Sequence, residues 1–343
     1  MIDCINKLFG EVMKRKYVPV LRWKQGEQSA LQELSSEIKN LIIPMIEFTG
    51  ENNNNVEYYW NQREFYYYPM SFTHNNEFIR YKEVFRVFDS KYMIPVLDKS
   101  LSDRILNFVS SNKERVGVRL YIENLNDINR ELKRYLEYFE AFNIDLIIDC
   151  KNIENEDIKE LSTYISRRLL DVDSLENYNS IIISSSSIPV SIKEFTTFTG
   201  IELNRLEVEL FNNTLENIRI CNDRILNNII YSDYTIKNSC YKKVSSDFIK
   251  FYVNIKYTVE DCYLCVKGRL NTDNGLAGEN IISMCEIICN DERFCGRKFS
   301  WGDKYIYDRR EACDKIRKFG NSTIWVKVSV NHHITYIVES LNS

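Results

Sequence analysis

Residues 17–27, YVPVLRWKQGE, decide the fold. A short apolar run ends in charge at Arg22 and Lys24. A polar turn then leads into residues 28–39, whose apolar positions recur at helical spacing. The same order recurs down the chain. Residues 41–48, LIIPMIEF, end at Glu47, and residues 92–97, YMIPVL, end at Asp98 and Lys99. Residues 117–122 end at Glu123 and Asn124, and residues 144–148 end at Asp149. Residues 180–183 run into four serines that begin at Ser184. Residues 206–210 carry Glu207 and Glu209, and residues 228–231 end at Asp233. Helical stretches are expected between them, at 75–88, 103–111, 126–141, 155–170, 191–197 and 214–227.

Eight strands alternating with helices over about 220 residues match a TIM-like (β/α)8 barrel. The alternation implies parallel pairing through right-handed crossovers. An open doubly wound sheet would carry a glycine-rich phosphate loop after an early strand. Only Gly26 stands near the first crossover, and no GxGxxG or Walker A pattern occurs. The barrel is therefore expected over 17–240. A short N-terminal helix over 1–16, with Ile5, Leu8, Val12 and Met13 on one side, precedes it. The aromatic stretch 58–70, with Tyr66, Tyr67 and Tyr68, is expected to hold an extra strand or part of the barrel rim.

After Lys237 the rhythm changes. Ile249, Phe251, Val253, Ile255 and Tyr257 alternate along one strand, and 262–267 forms its return. Helices are expected at 277–289 and 307–318, with FSWGD (299–303) as a polar turn between them. Residues 324–330 and 334–341 read as a second hairpin about 331–333. Residues 245–343 thus form a small α+β module with an antiparallel sheet. No long Gly/Ser or Pro linker separates it from the barrel, so it packs on it.

The 343 residues carry a formal net charge of −4, which does not indicate a generally basic nucleic-acid surface. No apolar run reaches the roughly 18 residues of a membrane span. The first residues, MIDCINKLFGEVMKRK, lack the long apolar region and cleavage site of an export leader. A cytoplasmic protein with reduced cysteines is expected.

In a barrel of this kind, chemistry sits at the C-terminal ends of the strands. The carboxylates there are Glu47, Asp98, Glu123, Asp149, Glu209 and Asp233, with Lys24 and Ser184 beside them. Arg22 and Arg119 lie deeper, where a charge must be paired. Such a ring can divide acid and base roles, hold Mg²⁺, or form a structural network with the cations. The catalytic candidates are Glu47, Asp98, Asp149 and Asp233. Ligand-binding candidates are Arg22, Lys24, Arg119, Ser184 and Glu209. No metal ligands are assigned: the three histidines show no HxH or HExxH spacing, and Cys262-x-x-Cys265 is only half of a zinc site. No GxSxG elbow supports a serine triad.

YVPVLRWKQGE, the P-x-I-E of residues 44–47, and the C-terminal run FSWGDKYI…GN…W-x-K-V…NHHIT resemble the phage beta protein family. The resemblance spans about residues 17 to 341, and NHHIT and FSWGD are its most specific parts. It implies a protein of mobile-element or anti-phage context. The matching positions are Lys24, Gly26, Glu27, Glu47, Ser300, Trp301, Gly302, Asp303, Gly320, Asn321, Trp325, Asn331, His332 and His333. If the C-terminal turns reach the barrel mouth, Trp301 offers a stacking face there. Asp303, Asn331, His332 and His333 then offer hydrogen bonds.

The first expectation is a phage-related or defence protein that binds an anionic ligand, or a phage or host protein, at the barrel mouth. The second is a hydrolase of a phosphate ester or nucleotide, with Mg²⁺ as a candidate cofactor. The third, a single-stranded nucleic-acid binder, rests only on aromatic richness.

Overall fold

The computed structural model describes residues 16–49, 56–70, 77–240, 252–270, 278–311 and 320–343. The expected N-terminal helix, except for Lys16, and His74 lie outside them. The strands are β1 (Tyr17–Leu21), β2 (Met45–Phe48), β3 (Phe65–Pro69), β4 (Met93–Leu97), β5 (Val116–Tyr121), β6 (Ile144–Asn152), β7 (Ser180–Ser186), β8 (Gly200–Asn204), β9 (Ile229–Asp233), β10 (Tyr252–Thr258) and β11 (Cys262–Leu270). The α-helices begin with α1 (Gln25–Gln32), α2 (Ser36–Asn40), α3 (Val56–Tyr59), α4 (Glu77–Phe88), α5 (Asp103–Ser110) and α6 (Ile128–Leu136). They continue with α7 (Ile158–Leu170), α8 (Leu206–Cys221), α9 (Gly278–Asn290), α10 (Trp301–Arg310) and α11 (Ser322–Asn342).

Strands β1 to β7 and β9 close into a barrel, every neighbour parallel. Closure is made by β1 on β9, with Val18 opposite Ser232. Each strand is buried on both faces, so its sequence is a continuous apolar run rather than an alternation. Inside, Val18, Val20, Met45, Tyr66, Ile94, Val96, Ile147, Ile182 and Ile230 pack as one cluster. The outer faces pack against the helices in a second, larger cluster.

Two barrel assignments change. The third strand is FYYYP at 65–69, within the aromatic stretch. Residues 206–210 are the first turn of α8, not a strand. Residues 191–197 form no helix. The small sheet runs β10-β11-β8, antiparallel throughout, and takes β8 from between the seventh and eighth barrel strands.

The largest correction is at the end of the chain. Residues expected as a hairpin form the single 21-residue helix α11. It packs against α1, β1 and β10, where it covers the barrel seam as the eighth outer helix. Val330, Ile334, Ile337 and Val338 join the barrel core, while Trp325 and Val328 join the core of the small sheet. FSWGD is not a free turn either: Ser300 caps α10 by accepting from the Asp303 N–H. Among the described residues, no helix is long and apolar enough to cross a membrane.

Candidate functional site

Two polar layers sandwich the apolar interior of the barrel. At the N-terminal end, Arg115 pairs with Asp145 at 2.8 Å, and Ser180 and Asn179 donate to the same carboxylate. At the C-terminal end the layer is built on Arg119 of β5. Period-two alternation turns Arg119 inward with Glu47 of β2 and Asp149 of β6.

Arg119 is 1% exposed. Its Nε donates to Asp149 Oδ2 at 3.0 Å, and one Nη donates to Asp149 Oδ2 at 2.7 Å and to Glu47 Oε1 at 2.8 Å. The Tyr234 hydroxyl lies 2.6 Å from that nitrogen and donates to Asp149 Oδ2 at 2.8 Å. Burial works against the charge on Asp149, but Arg119 and Lys151 outweigh it and hold the carboxyl below its usual range. Two polar atoms remain over. Arg119 Nη1 and Glu47 Oε2, both buried, have no hydrogen-bond partner. An unsatisfied buried donor or acceptor costs about 1–3 kcal/mol.

Tyr68 and Tyr121 stand over this centre and are partly exposed. The guanidinium lies 4.5 Å from the Tyr68 ring centroid and 5.6 Å from that of Tyr121. Tyr68 donates to Asp98 Oδ2, and its hydroxyl is 3.1 Å from that of Tyr121. Lys151 adds a cation at the rim, 3.1 Å from Asp149 Oδ2 and 4.4 Å from the Tyr121 ring centroid. Its backbone is left-handed at φ 57°, in a bulge where the pairing of β6 with β7 shifts register. Bulges of this kind re-aim side chains beside functional sites.

The strand-end aspartates share a local role. Asp98, Asp149 and Asp233 each accept the backbone N–H two residues on, from Ser100, Lys151 and Thr235. These are Asx turns, which reverse the chain as it leaves the strand. The second oxygen of each is left to reach elsewhere.

The structure brings Glu47, Asp98, Arg119 and Asp149 together. Ser184 also faces inward, 3.1 Å from the Ser232 hydroxyl. Arg22 lies near the same end and donates to the Asn238 carbonyl at 2.6 Å. Lys24 and Glu123 are exposed. Glu209 is exposed on α8, away from any strand end.

Asp233 lies on the outer face of β9, one residue out of phase with the interior. It accepts from Tyr17 and Tyr231, and His333 Nε2 stands 3.1 Å from each of its oxygens. His332 bridges Asp303 Oδ2 and the Thr258 carbonyl, each at 2.8 Å. Asn331 accepts from the Gly302 N–H at 2.9 Å and donates to the Ala30 carbonyl at 3.2 Å. Asp303, Asn331, His332 and His333 are therefore buried in the joint between the module and the barrel wall, not displayed at the mouth. Trp301 stacks with Tyr305 on that module, under Lys327.

Tyr68, Tyr121, Tyr234 and Lys151 belong to the site and were not among the candidates. The one available signal was parity: Tyr68 follows Tyr66, and Tyr121 follows Arg119, at strand spacing. Among the described residues, no group of three or more His, Cys, Asp or Glu is arranged to hold a metal ion.

The family model described as Beta protein matches residues 17–339. A comparison with curated proteins finds no match. Among solved structures, the chain is similar to triosephosphate isomerase from Bartonella henselae, at 10% identity and a TM-score of 0.36, over 66% of this chain and 95% of that one.

Proposed function

The chain belongs to the Beta protein family, and we propose that it is a phage-associated binding protein that takes a small anionic ligand at the C-terminal end of its barrel. The phage context comes from the family resemblance. The ligand comes from the site, and one observation carries it: Arg119 is held by two carboxylates and a tyrosine, yet Nη1 donates to nothing. Nearby, Glu47 Oε2 accepts from nothing. An oxyanion with an adjacent hydroxyl or amino group would satisfy both, as a phosphorylated sugar or nucleotide does. Lys151 adds positive charge at the entrance, and the rings of Tyr68 and Tyr121 must turn aside to admit the ligand.

Calorimetry with a panel of nucleotides and sugar phosphates, with and without Mg²⁺, tests this. A saturable binder whose affinity falls at least about tenfold in Glu47→Gln supports the proposal, because the amide keeps the shape but changes the acceptor. Turnover of a phosphate ester in the same assays would move the assignment to a hydrolase. Absence of any binder, with Glu47→Gln changing stability alone, would leave the layer as a structural network.

A further inference from the structure

A cleft of about 350 Å³ lies where the barrel rim meets the C-terminal module. Its walls include Ile236 and Lys237 from the segment after β9, Lys256 from β10, and Thr323 and Val326 from α11. None of the residues around Arg119 lines it. We propose that Lys256 is an amine nucleophile in this cleft and holds a small aldehyde there as a reversible imine.

Strand parity places the side chain. Val253, Ile255 and Tyr257 belong to the core of the small sheet, so Lys256 and Thr258 turn to the opposite face, toward the barrel. Across the sheet, Lys256 stands opposite Cys265, which packs with Tyr263 in the barrel core. The Lys256 N–H donates to Ser329 Oγ at 3.2 Å, which ties the strand to α11. Lys256 is thus half-buried in the joint between the module and the barrel.

Its neighbours are satisfied and it is not. Thr258 bonds His333 Nδ1 at 2.8 Å, and the Lys267 ammonium of β11 donates to the carbonyls of Lys193 and Phe195. At the cleft, the Lys237 ammonium donates to Glu27, whose other oxygen accepts from the Lys24 N–H. That carboxylate is already committed. Lys256 Nζ makes no hydrogen bond and no ion pair among the described residues. A buried ammonium with no partner is costly, and a neutral amine is much less so.

The environment favours that neutral form. Burial lowers the Lys256 ammonium below the usual lysine range; Cys265 opposes the effect and Lys237 adds to it. A lysine desolvated beside a second cation keeps the free lone pair that attacks a carbonyl carbon. The N–C bond forms as the C=O π pair moves to oxygen. That oxygen then leaves as water with the two hydrogens of the amine, and a C=N bond remains. No oxidant or reductant is consumed. The volume suits a small molecule, and Ile236 and Val326 offer apolar contact to its carbon chain.

The probe is propanal with sodium cyanoborohydride at neutral pH, applied to the full chain, because the hydride converts each imine to a stable secondary amine. Peptide mass spectrometry then reads the labelling rate at each lysine. Lys256 is expected to gain a propyl group at least about tenfold faster than Lys133, an exposed lysine on α6, since one unit of pKa is tenfold in free amine. In urea-unfolded chain the two rates should converge, because the preference belongs to the folded cleft. An aldehyde too bulky for the cleft, pyrenecarboxaldehyde, should lose the preference in the folded chain. Equal rates at Lys256 and Lys133 with propanal overturn the proposal, as does labelling of Lys24 or Lys237 ahead of Lys256. A preference that survives in urea, or that the bulky aldehyde shares, removes the cleft from the account and overturns it as well.

Discussion

Arg119 and Asp149 sit on neighbouring strands, and Asp149 Oδ2 accepts from both Nε and one Nη of the guanidinium, at 3.0 and 2.7 Å. A charge this deep persists because the pair and Glu47 neutralise one another. Removing one member is therefore worse than removing all. Arg119→Met is expected to cost roughly 3–5 kcal/mol, since it leaves Glu47 buried without its cation and Asp149 with only Lys151 at the rim. The triple variant Arg119→Met, Glu47→Gln, Asp149→Asn should recover part of that loss. Urea unfolding of the variants measures both.

Gly302 and His332 mark where α10 meets α11. A Cβ on Gly302 would overlap the Val328 carbonyl oxygen, which is backbone and cannot turn aside. Gly302→Ala is expected to destabilise by about 3 kcal/mol, the upper end of overpacking costs. It would also displace the Asn331 bond to the Gly302 N–H. Denaturant midpoints check the size. An unchanged midpoint would mean the two helices separate easily.

Acid should loosen the joint. Burial acts to raise Asp233 and Asp303, but His333 and His332 respectively, with their hydroxyl donors, outweigh it and both carboxyls lie below the usual range. Asp149 is depressed in the same direction. Below the unfolded carboxyl pKa of about 3.9, the unfolded chain binds protons that the folded chain still excludes. Stability from these three groups is thus present above about pH 4 and lost as pH falls further. Glu207 acts oppositely: burial raises it despite Arg205, and its contribution fades as pH rises. Unfolding midpoints from pH 7 to 3 should fall, and Asp303→Asn should flatten the acid limb.

The barrel should not stand without its last helix. Because α11 occupies the eighth outer position, a chain ending at residue 240 would expose the outer faces of Tyr17, Tyr231 and Asp233, all now buried. Such a chain is expected to show no cooperative thermal transition. A sharp transition by circular dichroism would show that the barrel folds independently of the module.

The barrel was legible because its strands are buried on both sides and end in charge. The count of eight held through two offsetting errors. FYYYP lies outside the charged-ending pattern, and LEVEL alternates for five residues before the rest of α8 reveals its helical period. Helix α11 was opaque for a physical reason. It is wedged between the barrel and the small sheet, so it is apolar on two sides, and STIWVKVSVNHHITYIV imitates a strand. At the site, the carboxylates were legible but their direction was not. Asp149 points inward and Asp233 outward because β9 meets the rim in the opposite phase. A one-residue change of phase moves a side chain across the wall.

The most direct test of the binding centre is a crystal structure of the protein with the tightest binder from the nucleotide and sugar-phosphate panel. Density in contact with Arg119 Nη1 and Glu47 Oε2, with the Tyr68 and Tyr121 rings displaced, is the result expected. Density confined to another part of the molecule, with both rings still lying over Arg119, would contradict it.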